Sequence, residues 1–456
     1  MAPMAETGNH AAAHRQRQRA PVWLDATIVV SAAAVAVMLL AGWLVKVDCI
    51  GPHYDPFGIS TGFNARMHRD YCYSDIQFLW PYRGISGHLF PYLHGGLHNG
   101  QLTGSTLEYP VGTGLFVWLT AQGAHNDGQF LAISAACLAP FGLLTAGLLA
   151  RLTGRRALIF AAAPAILFYG FLNWDLLAVA AFVAAVWCWW RGHPISAAAL
   201  LGLGAVLKLY PGLAVLPLAL HRLSKGDRKG AVKVLAAGVG TFVLFNLPFA
   251  LANRPGWWAT YAFQSNRAAD ITTNSIWYWG VPTLSTDQLN VLTPLLMVLT
   301  WVVALAVGWW RRDEAYPWVQ VSGSMVCAFL VLNKVHSPQY VLWVLPFLAL
   351  IQVRWGWWVA YWIFDTALFF GLDRWYYVIG TRGDDSLVKQ LVIIGVWGRA
   401  ATLALLYVVF LASPLALRSA QASGAPSSTP PAGSSTPSAR TASRSGASTS
   451  RTTNAQ

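Results

Sequence analysis

Residues 69–84 read RDYCYSDIQFLWPYRG, which sets Asp75, Asp70, Arg69 and Arg83 among aromatic side chains in an otherwise apolar chain. Four further stretches hold polar residues where hydrophobic runs break: Glu108-Tyr109-Pro110, Asn173-Trp174-Asp175, Lys208-Leu209-Tyr210-Pro211 and NKVHSPQY at 333–340. These supply carboxylates that could move a proton, cations that could hold an anion, and phenols that could donate hydrogen bonds. Most also have an ordinary reading. Asp75 could be a solvated loop acid, Tyr109-Pro110 a helix start, Asn173 and Asp175 a helix cap, and His336 a loop histidine. Lys208 is harder to set aside, because an ionisable residue inside a hydrophobic span marks function by default.

The elements that must position these residues follow from composition. The chain of 456 residues is 55% hydrophobic and 11% charged, with 23 tryptophans, whereas a soluble domain carries about 25% charged residues. Apolar windows recur from DATIVVSAAAVAVMLLAGWLV to LVKQLVIIGVWGRAATLALLYVVFLA. Each is near the ~20 residues that a helix needs to cross a bilayer. Backbone groups in lipid must be satisfied internally, so windows of this kind mean helices. The expected fold is an all-α polytopic membrane protein, a bundle of about twelve membrane helices. The first window has no small-residue cleavage site after it and reads as a retained anchor.

The net charge of +13 comes from basic residues in short loops, such as RLTGRR (151–156), HRLSKGDRKG (221–230) and WWRRDE (309–314). That is the positive-inside pattern, which argues against a nucleic-acid partner and puts both termini in the cytoplasm. Most acids fall in segments 46–110, 252–290 and 373–388, on the opposite side of a plasma membrane. Residues 1–24 form a basic cytoplasmic tail, 25–412 the membrane domain, and 46–110 the first outer loop. From residue 413 a Ser/Thr/Pro/Ala-rich stretch cannot bury a core and reads as a disordered cytoplasmic tail.

Two stretches resist simple counting. YPVGTGLFVWLTAQ (109–122) is short and Gly-rich, and reads as a helix on the outer surface. ISAAALLGLGAVLKLYPGLAVLPLAL (195–220) reads as two half-spans meeting near Lys208 and Pro211. The break lets the ammonium escape hydrocarbon, which costs roughly 2.5 kcal/mol or more at a helix centre. The Asp75 segment, with Ile76, Phe78, Leu79 and Trp80, reads as an amphipathic helix lying flat with the acid at its N-terminal end.

Among five cysteines, Cys137, Cys188 and Cys327 lie in spans as fillers. Cys49 and Cys72 share the first outer loop, where either a disulfide or two free thiols are open readings; pairing would contribute ~3 kcal/mol. No CxxC or His/Cys cluster suggests a structural metal. Trp257, Trp258, Trp277, Tyr278 and Trp279 in a later outer loop read equally as a sugar-stacking surface or as an interfacial aromatic belt.

The order of these features resembles the glycosyltransferase C superfamily, and more narrowly glycosyltransferase family 87. That family includes actinobacterial polyprenol-phosphate-mannose-dependent mannosyltransferases that build phosphatidylinositol mannosides. Asp75 and the Arg83-Gly84 turn match the family's loop acid and its flank, with Leu79 where a tyrosine is expected. Tyr109-Pro110-Val111 stands for Tyr-Pro-Pro, Asn173-Trp174-Asp175 for a Gly-Gln-x-Asn hinge, and LKLYP (207–211) is a close match. Ser337-Pro338 matches, but the histidine, His336, precedes the pair where a Trp-x-His is expected after it. These departures point away from the phosphatidylinositol-mannoside acceptor itself.

The resemblance implies an inverting transfer of a hexose, mannose first, from a polyprenyl-phosphate sugar to a lipid or glycan hydroxyl on the outer face. It implies Asp75 as general base. Lys208, Arg83 and His336 are then the cations for the donor phosphate, with Tyr109 and Tyr210 as hydrogen-bond donors. Glu108, Asn173, Asp175, Trp277 and Trp279 are the implied substrate contacts. No cofactor beyond the lipid-linked co-substrate, and no divalent metal, is expected. The rival class is a secondary transporter or flippase, which the one-sided polar clustering and the lack of an internal repeat disfavour.

Overall fold

A computed structural model describes residues 22–313 and 315–418. Helices dominate these residues. The one small sheet among them is a hairpin in the segment before Val111, Leu97–His98 with Gln101–Leu102, closed by Asn99-Gly100 at positive φ. Asn-Gly is the pair that such a two-residue turn favours.

The helices that frame the site are α1 (Val22–Val47), α2 (Val111–Ala121), α3 (Asp127–Thr153), α4 (Asp175–Trp190), α5 (Pro194–Leu207), α6 (Val215–Ser224), α7 (Arg228–Ala252), α8 (Thr286–Trp310), α9 (Trp318–Leu332), α10 (Val341–Leu350), α11 (Trp355–Gly380) and α12 (Ser386–Ala412), and a further helix, Arg254–Asn266, follows α7. Among the described residues, α1, α3, α7, α8 and α12 are long and apolar enough to cross a bilayer. The helices α4 and α10 are shorter and apolar on every face. A helix of that kind must be enclosed, and most of α4 and all of α10 are buried. The outer helices α7 and α8 turn valine and leucine outward, as at Leu244, Leu251, Val291 and Leu295, which suits a lipid-facing surface.

The break in the 195–220 stretch lies at the expected place. The helix α5 ends at Leu207, Lys208 is extended, and a single 3₁₀ turn, Tyr210–Ala214, leads into α6. Gly204 makes this packing possible, since a Cβ there would lie 2.7 Å from the Pro211 ring.

The Asp75 segment differs from the flat surface helix that its apolar residues suggest. The helix is one turn, Asp75–Phe78, seated on α3 with Ile76, Leu79 and Trp80 buried. Pro81 has no N–H to extend it, and positive φ at Arg83 and Gly84 turns the chain away. Residues 413–418, expected to begin a tail, are held: Leu415 bridges Ile351, and Ala416 N donates to Leu350 O at 2.7 Å. The N-terminal tail before residue 22 and the C-terminal stretch from 419 lie outside the described residues.

Candidate active site

Three chain breaks bring the polar residues together. Asn173 precedes α4, Lys208 follows α5, and Tyr109 stands two residues before α2. The Asp75 turn is fixed on the other side. Ser74 Oγ donates to Phe171 O at 2.8 Å, Lys46 Nζ at the end of α1 donates to Tyr73 O, and a disulfide joins Cys49 to Cys72.

Asn173 is the hub. Its Nδ2 donates to Asp75 Oδ2 and to the Tyr109 hydroxyl, each at 2.8 Å. Its Oδ1 accepts from Lys208 Nζ at 3.2 Å and from Trp174 N at 2.7 Å. The amide can point only one way, because an ammonium and a backbone N–H are obligate donors and a carboxylate is an acceptor. Tyr73 donates its hydroxyl to Asp75 Oδ1 at 2.8 Å, so each oxygen of Asp75 has one donor and keeps a free lone pair. Burial first, and then the Asp75 carboxylate, push the Tyr73 and Tyr109 phenols well above the ordinary tyrosine range. Tyr109 therefore stays protonated, and because it accepts from Asn173 its own hydrogen is free to donate.

Lys208 is buried, 3.6 Å from Asp175 Oδ1 and 4.7 Å from the centre of the Tyr109 ring. Trp343 Nε1 donates to the same Asp175 oxygen at 2.7 Å. The Tyr210 ring stacks on Trp343 at 4.4 Å, and its hydroxyl is buried without a partner among the described residues. From Trp343 the stack continues to Tyr340 at 4.1 Å and then to His336 at 6.3 Å. A ladder of rings thus connects the Ser337-Pro338 loop to the Lys208–Asp175 pair.

The remaining candidates are engaged differently. Arg83 is ion-paired with Glu108 at 3.0 Å, so the cation and the acid expected to act separately neutralise each other. His336 is buried, and burial together with the Arg399 guanidinium holds its imidazole well below the ordinary histidine range. It is neutral at pH 7, and the cation at this place is Arg399. Trp277 is buried with Nε1 on Leu332 O at 2.8 Å, while Trp279 packs on Trp375 at 5.1 Å. Among the described residues, neither indole is hydrogen-bonded to or ring-stacked on the Asp75–Lys208 network. The reading of the sequence did not single out Tyr73, Lys46, Asp365 or Arg399. The last two carried the signal that selected Lys208, a charge inside an apolar window.

The sequence profile of glycosyltransferase family 87 matches residues 107–338, just over half of the chain. The chain belongs to glycosyltransferase family 87. This family 87 protein is a membrane glycosyltransferase, and the transporter reading falls. The matched segment carries Glu108, Tyr109, Asn173, Asp175, Lys208, Tyr210 and His336; Asp75 and Arg83 lie before it. Among solved structures the chain is similar to ArnT from Cupriavidus metallidurans bound to undecaprenyl phosphate, at 15% identity over 83% of this chain and 77% of that one, with a TM-score of 0.40. No curated protein matches it.

Proposed function

We propose that this family 87 enzyme moves a hexose, mannose first, from a polyprenyl-phosphate sugar to a lipid or glycan hydroxyl on the outer face, with inversion. Asp75 is the general base. The acceptor oxygen attacks C1 of the sugar, its proton passes to Asp75, and the C1–O bond to phosphate breaks with the electron pair leaving on phosphate. Phosphate needs no acid to leave, so one carboxylate suffices where glycosidases need two. Charge gathers on the departing phosphate, and donors aimed at it lower the barrier. Lys208, the free Tyr109 hydrogen and the partnerless Tyr210 hydroxyl are those donors. Arg83 and Glu108, as a neutral pair, suit sugar hydroxyls better than a phosphate.

The observation that carries this reading is the Asn173 hub, which puts a carboxylate with free lone pairs one residue away from an ammonium and a free phenol hydrogen. The test supplies polyprenyl-phosphate sugars, labelled on mannose, glucose or arabinose, to membranes holding wild type or Asp75→Asn at matched levels. Wild type is expected to transfer label from one of them, and Asp75→Asn to lose about 10²–10⁴-fold, the usual contribution of a positioned base. Equal transfer by both would remove Asp75 from the mechanism.

A further inference from the structure

Behind the Ser337-Pro338 loop lies a buried charge network that the proposed chemistry leaves unused. Arg399 on α12 places one terminal nitrogen, NH2, 2.8 Å from His336 Nε2 and 3.3 Å from Pro338 O. Its other terminal nitrogen, NH1, lies 3.5 Å from Asp365 Oδ1 on α11, and Tyr169 donates to that oxygen at 3.4 Å. Arg399 is 1% exposed and Asp365 2% exposed. Nε and NH1 of Arg399 have no hydrogen-bond partner among the described residues. Replacing a buried ion pair with apolar residues often leaves stability unchanged or improves it, so stability alone does not account for this one.

Proton bookkeeping at His336 decides what the network does. A guanidinium only donates, so Nε2 must accept, and the one ring proton sits on Nδ1. Among the described residues Nδ1 has no hydrogen-bond partner, and His336 as a whole is 6% exposed. The backbone holds the ring from its other end, with His336 N donating to Thr273 O at 2.7 Å. The ring also stands at the open end of the Tyr340–Trp343–Tyr210 ladder.

We infer that Arg399 is a positioning residue that locks His336 as the Nδ1–H tautomer and makes it a neutral hydrogen-bond donor to a phosphoryl oxygen of the lipid-linked substrate. This rests on the donor class proposed above. A fixed neutral donor recognises the phosphodiester by geometry, and its strength does not vary across the histidine titration range. The charged and titratable groups facing His336 are Arg399 from α12, Asp365 and Tyr361 of α11 and Tyr169 behind that arginine, and Tyr340 along the stack. The downward shift of the imidazole, from burial first and Arg399 second, agrees with this arrangement.

The experiment measures the KM for farnesyl phosphoryl mannose, and for its glucose and arabinose counterparts, using purified enzyme and a fixed membrane-lipid acceptor extract. Asparagine can present an N–H where Nδ1–H stands, whereas glutamine reaches the Nε2 position. His336→Asn should keep KM within about threefold, and His336→Gln should raise it about tenfold or more, the loss expected for one hydrogen bond to a charged group. Between about pH 5.5 and 7.5 wild type should show no histidine-dependent change in KM. In Arg399→Gln/Asp365→Asn, which removes both charges and loosens the tautomer lock, KM should rise about threefold or more, with a flat pH profile because burial, the larger cause, still keeps the imidazole neutral. A glutamine that restores function where asparagine does not would assign the histidine a purely structural partnership with Arg399 and overturn the inference. So would a wild-type KM that already falls with acid, or an unchanged KM in the double variant. Wild type that transfers none of the three sugars would overturn the donor class, and this inference with it.

Discussion

Asn173 stands 2.8 Å from Asp75 and joins it to Lys208 through opposite ends of one amide. A single neutral side chain thus separates the proposed base from the proposed phosphate-binding cation, and lets each keep its own partner. On the proposed chemistry the labour is divided spatially: the acceptor proton goes to one end and the departing charge to the other.

Replacing this hub should misplace both ends. Asn173→Ala is expected to lower kcat/KM about 10²-fold, the scale associated with an ångström of misplacement. Asn173→Asp tests the electrostatics. It would set a second carboxylate against Asp75, and two acids sharing a site hold a proton more tightly. The base works deprotonated, so activity is lost on the acid side, and that limb of the kcat/KM profile should move to higher pH in Asn173→Asp. A pH–rate comparison with wild type checks the direction; an unmoved limb would separate Asn173 from the base.

The Cys49–Cys72 bridge and Lys46 hold the two neighbours of the same turn, since Cys72 precedes Tyr73 and Lys46 bonds its carbonyl. Removing a crosslink over a sequence separation of 23 should destabilise the protein by ~3 kcal/mol on the chain-entropy account. Cys49→Ser/Cys72→Ser is expected to lower the Tm in detergent and to reduce kcat more than the KM for the lipid-linked sugar. A variant with unchanged Tm and kcat would show that Lys46 and Ser74 hold the turn unaided.

Local sequence patterns accounted for the breaks and not for their convergence. LKLYP is legible as a helix interruption because an ammonium and a proline both oppose a continuous apolar helix. Asn173 is legible as a break as well, yet its partners come from 98, 64 and 35 positions away, and no local pattern encodes such pairings. The apolar run after Asp75 suggested a longer helix because periodicity does not register Pro81 or the positive φ of Arg83. The neutrality of His336 comes from its burial first and then from Arg399, 63 positions away.

Arg83 and Glu108 make a half-buried ion pair at 3.0 Å, with side chains 18% and 19% exposed. A role in binding phosphate and a role in shaping the loop predict different double variants. Arg83→Gln alone leaves Glu108 unpaired beside Tyr109 and should weaken the donor KM in either case. If the pair shapes the loop, Arg83→Gln/Glu108→Gln should recover most of the loss, because no charge is left over. If Arg83 holds the phosphate, the double variant should stay as weak as the single one. The neutral pairing favours recovery, and a donor titration on the three variants distinguishes the outcomes.

Lys208 and Asp175 allow stability to be measured apart from function. Their side chains are 9% and 0% exposed and 3.6 Å apart, and removing one partner of a buried pair typically costs about 3–5 kcal/mol. Lys208→Met should therefore lower the Tm sharply and abolish transfer, which by itself says little about chemistry. In Lys208→Met/Asp175→Asn the stranded charge is gone, and an amide can still accept from Trp343 Nε1. The double variant is expected to regain most of the Tm while donor affinity stays down about tenfold or more, the value of one hydrogen bond to a charged group. Thermal unfolding and donor KM, measured on the same preparations, check the two halves separately. Recovery of both would make the lysine a structural counter-ion and leave the phosphate to Tyr109, Tyr210 and His336.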